Sequence, residues 1–285
     1  MTIPADAILD AARRLHEAEK TKVRIPQLSQ QFPDMTMADG YAIQSAWLDI
    51  KRAEGRKVIG YKIGLTSRAM QINSQIDEPD YGSLLDDMLF ADGSEIPLDR
   101  FLKPLIEVEL AFMLNRPLKG PGVTLYDVLA ATDYVTPALE LIDLRVEPVD
   151  PKSGARSKAL DTISDNAANA GVILGGRPIK PDALDLRWVG CMLYRNGLIE
   201  ETGLAAGVLQ HPGNGIAWLA NKLAPFDISV EPGQILLCGS FTRPVFADPG
   251  DVFHADYGPL GGIGVRFIQS RKRGAKAHPS SLQAP

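Results

Sequence analysis

The sequence predicts an α+β fold with a rolled or sandwiched β-core, on three observations. Helical periodicity is concentrated before residue 58, and from Val58 onward short β-like runs are separated by Gly, Pro and Asp. Asn196-Gly197, the strongest two-residue hairpin signal, joins two of those runs. The chain is therefore expected to divide into an N-terminal helical region over 1–57, a β-rich domain over 58–268 and a disordered tail over 269–285.

In the first region, Thr2 can cap a helix carrying Ile8, Ala11, Ala12, Leu15 and Ala18 on one side. Thr36, with Asp39 three positions on, opens a second helix with the stripe Ile43, Ala46, Trp47 and Ile50, and Gly55 closes it. VIGYKIGL reads as a strand from Val58, LRWVGCMLYRNGLIEE as a hairpin, and GQILLCGSF, DVFHADYG and IGVRFI as further strands. Two helices interrupt them, one after Thr124 and one over Ile216 to Leu223.

With 285 residues and 45% hydrophobic composition, the chain can bury a large core. A net charge of −5 excludes a basic nucleic-acid footprint, and the one basic cluster, Arg271 to Lys276, reads as part of a solvated tail. Cys191 and Cys238 sit in apolar runs without a CxxC or a His/Cys cluster, so neither a disulfide framework nor a zinc site is expected. The opening MTIPADAILDAARRL lacks the order of a signal peptide and no run approaches a membrane span, which makes a cytoplasmic location the expectation. No P-loop, HExxH or GxSxG occurs, and GPLGGIG precedes a strand rather than opening a helix.

The most informative segment is PLIEVELAFML, Pro104 to Leu114. On a strand, Ile106, Val108, Leu110, Phe112 and Leu114 share one face while Glu107 and Glu109 share the other. Glu-x-Glu is also common on solvated sheets, but a third carboxylate, Glu140, is flanked directly by Leu139 and Leu141 in TPALELIDL. Three such oxygen donors suit a hard cation, Mg²⁺ or Mn²⁺, with positions left for water or substrate.

Lys62 interrupts an apolar strand just before a turn and needs an anion unless it faces outward. The acidic segment QIDEPDYGSLLDDM that follows reads as a long irregular lid, with most of its carboxylates solvated. In DTISDNAANAG the residues Thr162, Ser164, Asp165, Asn166 and Asn169 can hydrogen-bond a carboxylate or keto group, or simply form turns. SFTRP offers hydroxyls and Arg243 at a strand end.

These motifs, together with YKIGLTS and LLCGSFTRP, resemble the hydratase branch of the fumarylacetoacetate hydrolase superfamily over roughly residues 1 to 268. The resemblance implies a mixed β-roll, a divalent cation on Glu107, Glu109 and Glu140, and Lys62 beside a small-molecule 2-oxo acid substrate. It places Asp80 nearby as candidate general acid or base, assigns Thr66 and Ser164 to the substrate, and leaves Arg68 and Arg243 as candidates for a distal carboxylate. No histidine lies between His16 and His211, which argues against the hydrolases' histidine-assisted carbon–carbon cleavage. The implied activity is hydration of a 2-oxo dienoic acid by a homo-oligomer, dimer-based or as large as a decamer. Decarboxylation, hydration of a shorter acid, and a non-catalytic scaffold that keeps an ion remain alternatives.

Overall fold

The computed structural model describes residues 2–269, so the expected tail and its basic cluster, Gln269 apart, lie outside the described residues. Three helices come first: α1 (Ala5–Thr21), α2 (Leu28–Gln31) and α3 (Met37–Ala53). The apolar positions expected on α1 are buried, and they meet Ile43 and Trp47 of α3 in one cluster. The capping of α1 differs from the sequence expectation. Pro4 occupies its N-cap, and the Thr2 hydroxyl instead lies 2.9 Å from both Asp39 Oδ2 and the Asp34 carbonyl oxygen, with one proton to share between these acceptors. That choice satisfies the carboxylate that also completes the Thr36–Asp39 capping box of α3, which ties the two helix starts together. Leu85, Met88 and Val146, from beyond residue 58, close the helical cluster.

The rest of the chain runs β1 (Val58–Gly64), α4 (Arg68–Ser74), β2 (Asp80–Leu85), β3 (Leu89–Ala91), β4 (Glu95–Pro97) and β5 (Leu105–Leu114). Next come α5 (Leu125–Ala131), β6 (Thr132–Ile142), α6 (Ala159–Ser164), β7 (Asn169–Leu174), β8 (Gly190–Arg195) and β9 (Leu198–Leu204). The last elements are α7 (Pro212–Leu223), β10 (Ile235–Leu237), β11 (Val245–Phe246), β12 (Val252–Asp256) and β13 (Gly262–Ile268). The larger sheet is ordered β2-β1-β10-β5-β6-β7-β3, with β11 also on β5, and the smaller β4-β13-β12-β8-β9. Pairing is mixed: β1 with β10, β3 with β7 and β4 with β13 are parallel, and the other strand pairs are antiparallel.

The main core lies between the sheets, where Ile106, Val108, Leu110 and Phe112 of β5 meet Leu193, Phe253, Val265 and Phe267 of the smaller sheet. Ile216 and Leu219 of α7 extend it. Each such fully buried side chain contributes roughly 1.5–3 kcal/mol relative to exposure. The β8–β9 turn is the expected Asn-Gly hairpin, with positive φ at both Asn196 and Gly197, although Leu186–Trp188 is a short 3-10 turn and β8 starts only at Gly190.

Two segments depart from the expected irregular loops. The acidic stretch after Gln75 becomes β2 at Asp80, a strand buried at every position and antiparallel to β1. Apolar Tyr81, Leu84 and Leu85 outweigh the acidic flanks that suggested a lid. The polar stretch around Ser164 is α6, followed by the left-handed run Asn166–Ala167–Ala168 and then β7. Asn166 stabilises that run by a two-way clasp on Ser83, accepting from its amide at 2.8 Å and donating to its carbonyl at 2.9 Å.

Candidate active site and metal centre

Strand alternation separates the apolar and acidic residues of β5 onto opposite faces, and the antiparallel register with β6 does the rest. Glu107 stands directly opposite Glu140, and Glu109 opposite the small Ala138, which leaves its carboxylate room. One carboxylate oxygen from each of Glu107, Glu109 and Glu140 lies within 4.8 Å of the other two. Tyr257 pins the two strands at this level, its hydroxyl lying 3.1 Å from the Glu109 carbonyl and 2.6 Å from that of Ala138.

Glu109 and Glu140 are buried and only half satisfied. Glu140 Oε1 has Lys62 Nζ at 3.2 Å and accepts from Asn169 Nδ2 at 2.8 Å, while Glu109 Oε2 accepts from the Gly239 amide at 2.8 Å. Glu109 Oε1, Glu140 Oε2 and both oxygens of Asp80 are buried without a hydrogen-bond partner. Native proteins seldom leave buried charged oxygens in this state, because their desolvation is then uncompensated.

The electrostatics follow. Burial, reinforced by Glu140, pushes the Glu107 carboxyl up to about 8, and burial with Glu140 and Glu107 pushes Glu109 well above the usual carboxylate range. Burial also raises Asp80, with Lys62 opposing it. For Lys62 burial acts downward, but Glu140, Asp80 and Glu107 outweigh it and hold the ammonium above its ordinary value. Without a cation, the carboxyl groups of the site therefore cannot all ionise in this water-poor setting. A hard divalent cation fits: the donors are all carboxylate oxygens, they converge, and two of them have an oxygen to spare.

The cluster opens through Glu107 into a cleft of about 850 Å³ that Lys62, Asp80 and Thr66 also line. Gly64 keeps this corner clear, since a Cβ there would stand 2.2 Å from Asp80 Oδ1 and 3.2 Å from Lys62 Nζ. Ser240 and Thr242 from the SFTRP segment border the same space.

The structure thus brings together Lys62, Asp80, Thr66, Glu107, Glu109 and Glu140, with Arg243 at the rim. Asp80 belongs to the buried start of β2, not to a lid. Ser164 and Arg68 are not brought to the cleft. The Ser164 hydroxyl is buried in α6 and donates to the Leu160 carbonyl at 2.8 Å, and Arg68 is exposed at the start of α4. Arg243 is held by Glu201 at 2.6 Å. Sequence reading missed Arg156 and Lys158, which line the cleft from a segment whose Lys, Ser and Gly content reads as plain surface.

No family model matches the chain. It is, however, 64% identical over 257 residues to 2-oxo-hept-4-ene-1,7-dioate hydratase of Escherichia coli, covering 90% of this chain and 96% of the relative. It is 38% identical over 268 residues to 2-keto-4-pentenoate hydratase of Paraburkholderia xenovorans strain LB400, covering 94% and 97%. Among solved structures it is similar to 4-oxalocrotonate decarboxylase from Pseudomonas putida G7 complexed with magnesium and adipate. That match has 36% identity and a TM-score of 0.88, over 94% of this chain and 99% of that one. With full-length likeness of this order and the fold described above, the chain belongs to the hydratase and decarboxylase family of the fumarylacetoacetate hydrolase superfamily.

Proposed function

We propose that this chain is a divalent-metal-dependent hydro-lyase that adds water to 2-oxohept-4-ene-1,7-dioate to give 4-hydroxy-2-oxoheptanedioate. The observation that carries the reading is the convergence of Glu107, Glu109 and Glu140 beside Lys62 at the end of an open cleft. The 64% identity to a hydratase of that acid supports the substrate. Mg²⁺, with Mn²⁺ as a substitute, is the cation we assign, consistent with the magnesium in the related decarboxylase structure.

In this reading Glu107, Glu109 and Glu140 would hold the cation, which would supply Lewis-acid stabilisation of the negative charge that develops on the substrate. Lys62, charged and anchored on Glu140, attracts the anionic substrate and stabilises the same charge. Asp80, beside Lys62 and short of partners, is the proton carrier: its carboxylate takes a proton from C3, and the resulting acid returns it at C5. This moves the double bond from C4=C5 to C3=C4, in conjugation with the ketone. Water then adds, hydroxyl to C4 and proton to C3. Burial raises the proton affinity of Asp80 and Lys62 opposes it, the direction that suits a group which must both accept and return a proton.

We further place the enzyme in the cytosol, as a dimer-based homo-oligomer, in aromatic meta-cleavage catabolism of the 4-hydroxyphenylacetate type. A second reading, decarboxylation of a 2-oxo dienedioate, draws on the likeness to 4-oxalocrotonate decarboxylase. A third, hydration of 2-hydroxypenta-2,4-dienoate, draws on the pentenoate hydratase. One assay separates them. Each acid is supplied with Mg²⁺ while dienoate absorbance and carbon dioxide are followed. Loss of absorbance without gas, with the larger kcat/KM on the seven-carbon diacid, supports the proposal; carbon dioxide release or preference for the five-carbon acid overturns it.

A further inference from the structure

A seven-carbon diacid presents a second carboxylate roughly 7–8 Å from the first, from C–C bonds of about 1.5 Å. The chain must receive that charge in the same cleft, or the remote carboxylate loses hydration without compensation. Among the described residues four cationic side chains line the cleft, those of Lys62, Arg156, Lys158 and Arg243. Lys62 is engaged by Glu140 at 3.2 Å, and Arg243 by Glu201, itself a lining residue, at 2.6 Å.

Arg156 and Lys158 are different. Their backbone is fixed, because Ser157 N donates to the Pro148 carbonyl at 3.0 Å, Lys158 N to Asp161 Oδ2 at 2.8 Å, and Arg156 bridges Val149. Their side chains are exposed, and among the described residues neither makes an ion pair. Alternation in this extended segment puts both on the same side, with Ser157 between them. A pinned backbone that presents two exposed, uncommitted cations to a cleft whose carboxylates are buried or half-buried is a charge-separated arrangement. It suits a substrate with its 2-oxo acid end inward and an anion outward.

We infer that Arg156, with Lys158 beside it, binds the distal carboxylate and sets the preference for a diacid over a monoacid. The inference rests on the diacid reading above. Arg156 is the leading member because a guanidinium can take a carboxylate by two parallel hydrogen bonds, whereas an ammonium acts as a point charge.

The test is binding rather than turnover. Adipate and hexanoate, equal in length but differing by one carboxylate, are titrated calorimetrically into the Mg²⁺-loaded protein. Wild type should favour adipate, and Arg156→Gln should reduce the adipate-to-hexanoate affinity ratio by about tenfold, with Arg156→Lys between them. The ratio cancels any general loss of binding competence. A wild type without preference for adipate overturns the inference. An unchanged ratio in Arg156→Gln, or a ratio lost in Arg243→Gln instead, also overturns it. Because no reaction is measured, an Arg156-dependent ratio in a protein that hydrates nothing would defeat the hydratase reading alone. Hydration of the diacid with an Arg156-independent ratio would defeat this inference alone.

Discussion

Two buried ionic clusters in this molecule obey the same physics and end in opposite states. In the first, Arg145 and Asp165 are both buried, and neither has a buried polar side-chain atom without a partner. The Arg145 Nε pairs with Asp165 Oδ1, its amide donates to Asp165 Oδ2 at 2.7 Å, and Nη2 reaches the carbonyls of Asp165 at 2.7 Å and Asn169 at 3.2 Å. The guanidinium also lies over Trp47. In the second, four carboxyl groups, Asp80, Glu107, Glu109 and Glu140, surround one ammonium, and four buried oxygens among them have no partner. The first cluster is closed and holds the turn after α6. The second is open, and its deficit is what a cation and a substrate would complete.

Breaking the closed cluster should have the largest effect on the fold. Arg145→Met strands Asp165 and should cost about 3–5 kcal/mol of stability, measured by denaturant unfolding with Mg²⁺ present. A loss below 1 kcal/mol would mean the pair is not the structural lock described. In the open cluster the same kind of change should act in reverse. Glu109→Gln should lower turnover and Mg²⁺ affinity more than about 100-fold, beyond what a supporting residue causes, yet raise the melting temperature of the metal-free protein by removing a carboxyl disfavoured by burial and by its acidic neighbours.

Asn169 touches both clusters, through its carbonyl to Arg145 and its amide nitrogen to Glu140. Asn169→Ala should reduce Mg²⁺ affinity by about 10–100-fold with the fold retained, read by calorimetry and melting. No change in affinity would remove it from the site.

The smallest effect is on pH dependence. The folded-state value of Glu107 is pushed to about 8, above its ordinary 4.5, by burial and then by Glu140. The metal-free folded chain therefore holds more protons than the unfolded chain between those values. Its stability should fall as pH rises through that window, by about 1–2 kcal/mol after allowance for the partial exposure of Glu107. With Mg²⁺ the decline should flatten; parallel melting curves in EDTA and Mg²⁺ from pH 5 to 8 would contradict this.

The open cluster was more legible in the sequence than the closed one. Period-two alternation isolates Glu107 and Glu109, and Glu140 stands out between two leucines, because carboxylates in apolar strands are costly and so conspicuous. Thr36 with Asp39, and Asn196-Gly197, are local signals that act through backbone hydrogen bonds and turn geometry, and both act as read. What stayed hidden depends on distant pairing. Asp80 looked like a lid residue because its acidic neighbours precede it, whereas its place is set by β2 pairing with β1 and by Asn166 clasping Ser83. The parallel pairing of β1 with β10 joins residues such as Lys62 and Leu237. Nothing local in either segment announces it. Ser164 has the right chemistry in the wrong orientation, its hydroxyl turned back on its own helix. Arg156 carried no signal at all, since a cation in a polar loop is the commonest of surface features.

Crystals grown with Mn²⁺, examined at the manganese absorption edge, would reveal whether the three glutamates share one ion. One anomalous peak per chain is expected, about 2.1 Å from carboxylate oxygens of Glu107, Glu109 and Glu140. A peak coordinated by other residues, or the same peak retained in Glu109→Gln at undiminished occupancy, would contradict it.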